Sequence, residues 1–318
     1  MIIVRLNGGG LGNQLFQYAA GRRLAIVHNT VLKLDLVAYS DNSYRTYGLD
    51  KFNIRANKAS LLDIFRVCPS EAFRRQIIRY QPLLGSSLYP RLLARFGKNG
   101  YRLRVDEYDA AKPLEPLMIG RVVAQRFFHF DPEVLGVPDN VALVGNWISE
   151  KFFVDVRPRI LNELSVKTPF DADNSDLATQ IVSSQSISLH VRRGDKVNNP
   201  VFPATELGFI NRAISFMSRK LPSPHFFVFS DDIDWCRQSI PPVGRMTFVD
   251  SNRDRPYEDL RLMTMCRHNI IAESTLSWWG AWLNPNPTKI VVSPPAHRTI
   301  ALANFNTADV LPPEWIVL

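Results

Sequence analysis

The chain has 318 residues, 46% hydrophobic and 21% charged, a balance that suits two soluble globular domains and excludes a disordered, collagenous or disulfide-stapled chain. The charge is lopsided, 38 Lys and Arg against 30 Asp and Glu for a net +8. Such an excess favours an anionic partner: nucleic acid, a membrane surface or a phosphorylated small molecule.

The first residues lack the apolar stretch of a signal peptide, and no apolar run reaches the roughly 18–20 residues of a membrane span. Cys68, Cys236 and Cys266 are odd in number and lack metal-ligand spacing, which fits reduced thiols. The expectation is a soluble, cytoplasmic protein.

The chain opens with an apolar strand at 2–6, the turn Asn7-Gly8-Gly9-Gly10, a helix over 11–27 and a second strand at 31–36. This is the start of a βαβ unit. Residues 66–104 carry nine basic side chains and one acid, Glu71, interleaved with apolar pairs that suit amphipathic helices. Strands are expected at 122–127 and 141–147, and a helix over 154–164 despite Pro158. Residues 169–176 are acidic and polar without apolar period, which places a domain boundary there and divides the chain into 1–170 and 171–318.

Beyond the boundary, strands at 187–191, 226–229, 247–249, 269–272 and 289–292 alternate with helices. That pattern predicts a parallel, doubly wound sheet, which binds ligands outside the carboxyl ends of its strands. The residues that follow each strand are therefore where chemistry is expected.

Four such segments stand out. In Gly8-Gly9-Gly10-Leu11-Gly12-Asn13-Gln14, glycines allow close backbone approach and helix-start amides favour anions. Asp35 at the end of the second strand invites a dinucleotide reading, but Asn13 stands where that fingerprint needs its third glycine. The Asn13-Gln14 amide pair suits hydroxyls and phosphate oxygens instead. In His190-Val191-Arg192-Arg193-Gly194-Asp195-Lys196, the strand period puts His190 and Arg192 on one face, and an arginine fork matches a diphosphate. A surface ion-pair cluster is the plain alternative.

Ser230-Asp231-Asp232-Ile233-Asp234 reads either as a helix cap or as an Asp-x-Asp pair for a divalent cation. With Arg192 supplying positive charge, capping is preferred and no metal is expected. In Glu273-Ser274-Thr275-Leu276-Ser277-Trp278-Trp279-Gly280-Ala281-Trp282, Ser274 and Thr275 suit a helix start that seats an anion. The tryptophans serve either as core or as a sugar or base platform.

Together these segments resemble the bacterial α-1,2-fucosyltransferases of glycosyltransferase family 11. The matching stretches run from Gly9 to Ala19, from His190 to Asp195, from Phe229 to Asp232, and from His268 through Ala272 and Ser274 to Leu283. The His-x-Arg-Arg run is also similar to that of α-1,6- and protein O-fucosyltransferases, which share the GDP-fucose donor.

The resemblance implies a GT-B fold, two Rossmann-like doubly wound domains facing across a cleft. Residues 1–170 would form the acceptor side and 171–318 the GDP-fucose side. It implies metal-independent, inverting transfer of L-fucose to the 2-hydroxyl of a galactose-terminated oligosaccharide. No cofactor or nucleic acid would be involved.

By carry-over, Arg192 contacts the donor β-phosphate, His190 the nucleoside side, and Asp231 or Asp232 the guanine or ribose. Arg193 belongs to the same donor site. Ser274, Thr275 and Ser277 approach the phosphates, and Gly10, Asn13, Gln14 and Trp278 lie on the phosphate or acceptor side. Asp195 is the first choice of base, with Glu206 and Glu273 behind it. Many members have Asn where this chain has Glu273. An acid beside a diphosphate must point away or pair with an arginine.

Two rivals follow from single features: a nicotinamide-dependent oxidoreductase from the glycine turn and Asp35, and a nucleic-acid or membrane-surface binder from residues 66–104. Within the enzyme reading, that basic stretch is expected to serve as acceptor-side surface or peripheral contact with an anionic membrane face.

Overall fold

The computed structural model describes residues 1–39, 45–72, 75, 118–197, 199, 204–296 and 306–318. The chain divides into two compact units, one of residues 1–9, 16–47 and 55–157, the other of residues 10–15, 48–54 and 158–318. The second unit thus begins before residue 171 and takes in two short pieces of the N-terminal half. The reason is local pairing: Phe52 bridges Val166, Asn53 N donates to Ser165 O at 3.1 Å, and Lys167 N donates to Lys51 O at 2.9 Å.

The first unit is built on a six-stranded sheet ordered β3-β2-β1-β6-β5-β4. Its strands are β1 (Ile2–Arg5), β2 (Leu32–Asp35), β3 (Asn57–Lys58), β4 (Met118–Ile119), β5 (Val122–Ala124) and β6 (Val141–Val144). All neighbours run parallel except β4, which is antiparallel to β5. Ile2, Ile3 and Val4 are all buried, as expected of a central parallel strand covered on both faces. Gly8 makes the turn after β1 at φ +81°, a conformation open to glycine.

Helix α1 (Leu11–Val27) connects β1 to β2, and Gly21 lets it lie close on β1: a Cβ there would stand 2.1 Å from Val4 Cγ2. Helix α2 (Leu61–Val67) follows β3 and starts with a reciprocal capping box between Ser60 and Asp63. Of the nine cations in residues 66–104, Arg66 and Arg75 are described; the other seven lie outside the described residues.

The second unit carries a six-stranded, wholly parallel sheet ordered β12-β11-β10-β7-β8-β9. Its strands are β7 (Gln185–Val191), β8 (Pro224–Ser230), β9 (Arg245–Val249), β10 (His268–Ile270), β11 (Val291–Ser293) and β12 (Ile316–Val317). Counted within the unit, this is the 3-2-1-4-5-6 order of a Rossmann sheet. Its helices are α3 (Arg157–Glu163), α4 (Ala172–Val182), α5 (Leu207–Lys220), α6 (Ile233–Ser239), α7 (Pro256–Met265) and α8 (Thr275–Trp282).

The two-residue strand period sorts the core. Ile187, Leu189, Val191, Phe226 and Val228 pack with Phe209, Ile210 and Ile214 of α5 and Cys236 of α6. Phe227 and Phe229 pack on the other face with Ala178 and Ile181 of α4 and Leu262 and Met263 of α7. Apolar side chains on both faces make the sheet doubly wound, as expected.

Three local readings change. Residues 169–176, read as a domain boundary for want of an apolar period, include a helix start, because α4 begins at Ala172. The Asp171 side chain accepts from Asn174 N at 2.9 Å, so the polar run is a helix cap and first turn. The helix expected over 154–164 splits into a 3-10 turn, Val154–Val156, and α3. Pro158 is then the second residue of α3, where a missing N–H costs little. Strand β12, two residues long, is too short to show an alternation and adds a sixth strand to the five expected.

Candidate active site

In this sheet order the connections diverge at β7, with β8 on one side and β10 on the other. A crevice at the carboxyl ends of these strands is the ligand site that such sheets offer. Val191 pairs with Ser230 and Leu189 with Ile270, so the segments after β7, β8 and β10 leave the sheet side by side. The runs beginning at Arg192, Asp231 and Ile271 are brought together by register, although 40 to 80 residues apart in sequence.

Arg192 is the centre of that meeting. Its guanidinium engages Asp195 through Nη2 at 2.5 Å and Asp231 through Nη1 at 2.7 Å. Thr205 fixes its backbone: Arg192 N donates to Thr205 Oγ1 at 2.9 Å, and Thr205 N donates to Arg192 O at 2.9 Å. Asp231 also accepts from Arg193 N at 2.8 Å. The turn can close this tightly because residue 194 is glycine; a Cβ there would stand 2.3 Å from Asp231 Oδ2. Two carboxylates thus aim one planar fork, the geometry that binds phosphate oxygens in pairs.

Arg193 turns away from Asp231 and lies over the Trp235 ring at 3.7 Å, with its Nε 3.3 Å from Asp232 Oδ2. Asp232 caps α6 by accepting from Trp235 N at 3.3 Å. Asp234 is exposed and lies 4.0 Å from Arg253. The capping alternative for this segment is therefore realised. Among the described residues no three His, Cys, Asp or Glu side chains gather to hold a metal.

His190, the penultimate residue of β7, is buried. Burial, with Arg192 nearby, pushes its pKa down to about 3, so the imidazole is neutral. Its Nδ1 has no hydrogen-bond partner in the structure. Lys196 ends the 3-10 turn Gly194–Lys196. Its pKa is lowered, chiefly by burial and also by Arg192, against the opposing pull of Glu273, Asp195 and Asp231. Glu273, three residues past β10, is within electrostatic reach of Lys196. The motif by itself assigns Lys196 no role; its place one residue after Asp195 in a post-strand run is the signal that points to it.

Helix α8 starts at Thr275 beside the first turn of α1. Thr275 Oγ1 donates to Asn13 Oδ1 at 2.8 Å, and Trp279 Nε1 donates to Gly12 O at 3.1 Å. Gly12 is obligatory for this approach, since a Cβ there would stand 2.4 Å from the Thr275 carbonyl carbon. Gly10 has open space where a Cβ would be, and its carbonyl accepts from Asn13 N and Gln14 N. Ser274 occupies the N-cap position without a side-chain cap bond. Ser277 is buried, accepting from Ala272 N at 3.2 Å and donating to Ser274 O at 3.3 Å.

Several expected contacts are already taken by the protein. Gln14 is fully buried and accepts from Gly48 N at 2.9 Å, so its amide holds a loop. Trp278 is 3% exposed, donates from Nε1 to Val310 O at 2.7 Å and packs against Trp279, Trp282 and Trp315. It is core, with no face left for a sugar platform, because α8 is apolar on nearly every side and buries its tryptophans. Asp35 takes a bidentate pair from Arg75, 2.9 Å to Nη1 and 2.5 Å to Nη2. That carboxylate is committed inside the first unit, which removes the ribose contact the dinucleotide reading needs. Glu206 stands at the N-cap position of α5. Burial pushes the Cys236 thiol up to about 11 and raises that of Cys266, so neither is a nucleophile.

The family model for Glycosyl transferase family 11 matches residues 132–318, more than half the chain. The chain belongs to glycosyltransferase family 11. It is 29% identical to an α-1,2-colitosyltransferase of Escherichia coli over 99% of this chain and 98% of that protein. It is 28% identical to the O-antigen biosynthesis glycosyltransferase WbnK of Escherichia coli over 90% of this chain and 91% of that protein. A galactoside 2-α-L-fucosyltransferase, Sec1 of Mus musculus, is 28% identical over 55% of this chain and 51% of that protein. Every residue of this glycosyltransferase described above between Asp171 and Trp315 lies inside the matched segment; Gly10, Gly12, Asn13 and Gln14 lie outside it.

Proposed function

We propose that this glycosyltransferase moves L-fucose from GDP-β-L-fucose to the 2-hydroxyl of a galactose in an oligosaccharide, with inversion, to give an α-1,2 linkage. The observation that carries the reading is the Arg192 fork, held by Asp195 and Asp231 at the carboxyl end of β7. Relatives named for α-1,2 transfer of colitose and for galactoside 2-α-L-fucosyl transfer support the same sugar chemistry.

In the proposed step the bond from the sugar C1 to the β-phosphate oxygen stretches first. Positive charge builds on the ring and negative charge on the departing diphosphate. Arg192 and the free amides of α8 stabilise that negative charge, as preorganised donors do for a charge that develops in the transition state. A guanidinium and a helix start do here what a divalent cation does elsewhere, so the reading assigns no metal. The galactose O2 attacks C1 from the opposite face, inverting it, and its proton leaves late to a carboxylate. Asp195 is the proposed acceptor of that proton, with Glu206 and Glu273 as alternatives; its pairing with Arg192 gives it a second task, aiming the fork. Neutral His190 sits on the nucleoside side as a hydrogen-bonding group without charge.

The colitosyltransferase relative favours a second reading, with GDP-colitose as donor. Colitose is L-fucose without its 3-hydroxyl, so the two donors differ in a single group. Incubating the protein with each donor and a panel of galactosides, with the linkage read by NMR, separates the readings. Fucosyl transfer to galactose O2 supports the first and exclusive use of colitose the second. Release of neither sugar to a galactoside rejects both.

A further inference from the structure

The first sheet has a switch point of its own. The chain leaves β1 for β2 on one side, and β6 lies on the other. Outside the carboxyl ends of such strands is where sheets of this kind take a ligand. Register levels the exits, because Val144 of β6 pairs with Arg5 of β1 and with Ala124 of β5. The segments beginning at Leu6, Gln125 and Gly145 therefore leave the sheet together. Gln125 ties the β5 exit to the β6 exit, its Nε2 donating to Phe127 O at 2.9 Å and its Oε1 accepting from Asn146 N at 2.7 Å and Trp147 N at 3.2 Å. Asn7 Nδ2 in turn donates to Asn146 Oδ1 at 2.6 Å, so a chain of amides crosses the ends of β5, β6 and β1.

The turn that carries Asn146 is strained. Trp147 is fully buried at φ +59°, an outlier for so bulky a residue. Such backbone persists only where its surroundings hold it, and it gathers at ligand sites. Gln17 and Gln125 hold it here: Gln17 Nε2 donates to Gly145 O at 2.9 Å, and a Cβ at Gly145 would stand 2.6 Å from Gln125 Cβ. What the turn presents is the Asn146 side chain, half-buried beside exposed Asn7. Their mutual bond adds little to stability, since water offers both groups the same bonds. It leaves Asn7 Oδ1 and Asn146 Nδ2 side by side, an acceptor next to a donor. Beyond Gln125, Phe127 and His129 are half-buried and stack at 4.8 Å and 28°. Arg5 and Arg126 each face a carboxylate, Glu71 at 3.6 Å and Asp131 at 2.7 Å.

We infer that Asn7, Asn146 and the Phe127–His129 stack form a subsite for a neutral sugar ring of the acceptor. Asn7 Oδ1 accepts from one ring hydroxyl, Asn146 Nδ2 donates to its neighbour, and the apolar C–H face of the ring packs on the aromatic pair. A few placed polar groups beside aromatic surface are what a small polyhydroxylated ligand needs. A phosphate or carboxylate would call for an arginine fork, and the arginines of these segments are turned to acids of the protein. The inference rests on the reading of the acceptor as an oligosaccharide, but not on its being a galactoside.

The test separates sugar binding from donor binding. The full chain, with GDP present, is applied to an array of neutral and sulfated oligosaccharides, and a retained neutral glycan is then titrated calorimetrically. N7A and N146A should each weaken its binding roughly 3- to 10-fold, and F127A about 10-fold, while GDP affinity stays at the parent value. Both asparagine variants keep the backbone bonds to Gln125, so they should melt with the parent. Retention of sulfated glycans alone, retention of none, parent-like glycan binding by N7A and N146A, or a matching loss of GDP affinity overturns the inference. If the retained glycans lack galactose, the galactose reading falls, while weaker binding by the variants still supports the subsite. If galactosides are fucosylated by N7A, N146A and F127A with the parent's KM, the galactose reading stands and the subsite falls.

Discussion

Replacing Gly12 by alanine tests how closely the first turn of α1 must approach α8. The added Cβ would stand 2.4 Å from the Thr275 carbonyl carbon and 2.5 Å from Leu276 N and Thr275 Oγ1. Two of these atoms are backbone, so the helix start must retreat by about 1 Å to restore ordinary contact, an overpacking worth roughly 1–3 kcal/mol. That retreat also stretches the Thr275–Asn13 and Trp279–Gly12 hydrogen bonds, each worth about 0.5–1.5 kcal/mol. Alanine returns about 1 kcal/mol in helix propensity, leaving a net loss of about 1–5 kcal/mol. At roughly 2–4 °C per kcal/mol for a protein of this size, melting falls by about 10 °C, within a range of about 2–20 °C. Gly10→Ala is the control: with nothing within 4 Å of its Cβ, it should change stability by less than about 0.5 kcal/mol. The assay is thermal and urea unfolding of both variants. A Gly12→Ala protein that melts with the parent, or a Gly10→Ala protein that falls equally far, refutes the close approach.

The remaining predictions concern the arginine fork and pH. Asp231→Asn keeps the shape but removes the charge that aims Arg192, and Gly194→Ala pushes the same carboxylate away. Each should lower kcat/KM by roughly 10- to 100-fold with little change in melting temperature; parent-like kcat/KM in both variants argues against Asp231 as a positioning group. His190 titrates near 3 when folded and near 6.5 when unfolded. The unfolded chain therefore binds the extra proton, and stability falls as pH drops from about 6.5 towards 3. Asp259 has the opposite sign: burial raises its folded pKa from 3.8 to about 7, so stability falls as pH rises from about 4 to 7. Melting curves across that window should show a smaller acid loss in His190→Gln and a smaller alkaline loss in Asp259→Asn. An unchanged pH dependence in either variant contradicts the assigned burial.

The doubly wound second unit was legible because its chemistry is periodic. Alternating apolar residues such as Phe226 to Phe229 fill both faces of β8, and that pattern is written in the sequence. The segments after β7 and β8 were legible for the same reason, since strand ends announce where a ligand edge lies. What stayed hidden depends on partners distant in sequence. Nothing local says that Asp231 aims Arg192 when register, not sequence distance, makes them neighbours. The α4 start was hidden because cap residues and linker residues share a composition, and only the Asp171–Asn174 bond tells them apart. Trp278 was ambiguous in principle: a tryptophan cluster reads the same whether it is core or platform until its burial is known. Gly12 carried a phosphate-loop reading, whereas its structural duty is to admit the start of α8.

The central claim is that Arg192, held by Asp195 and Asp231, carries the charge of the donor's diphosphate. Calorimetric titration of GDP into Arg192→Ala, alongside initial rates of sugar transfer, tests it most directly. The expected result is a folded protein whose GDP affinity is markedly weakened and whose transfer rate is down by roughly 10²–10³. GDP binding and turnover close to the parent's would contradict the claim and move the donor's phosphates elsewhere on the protein.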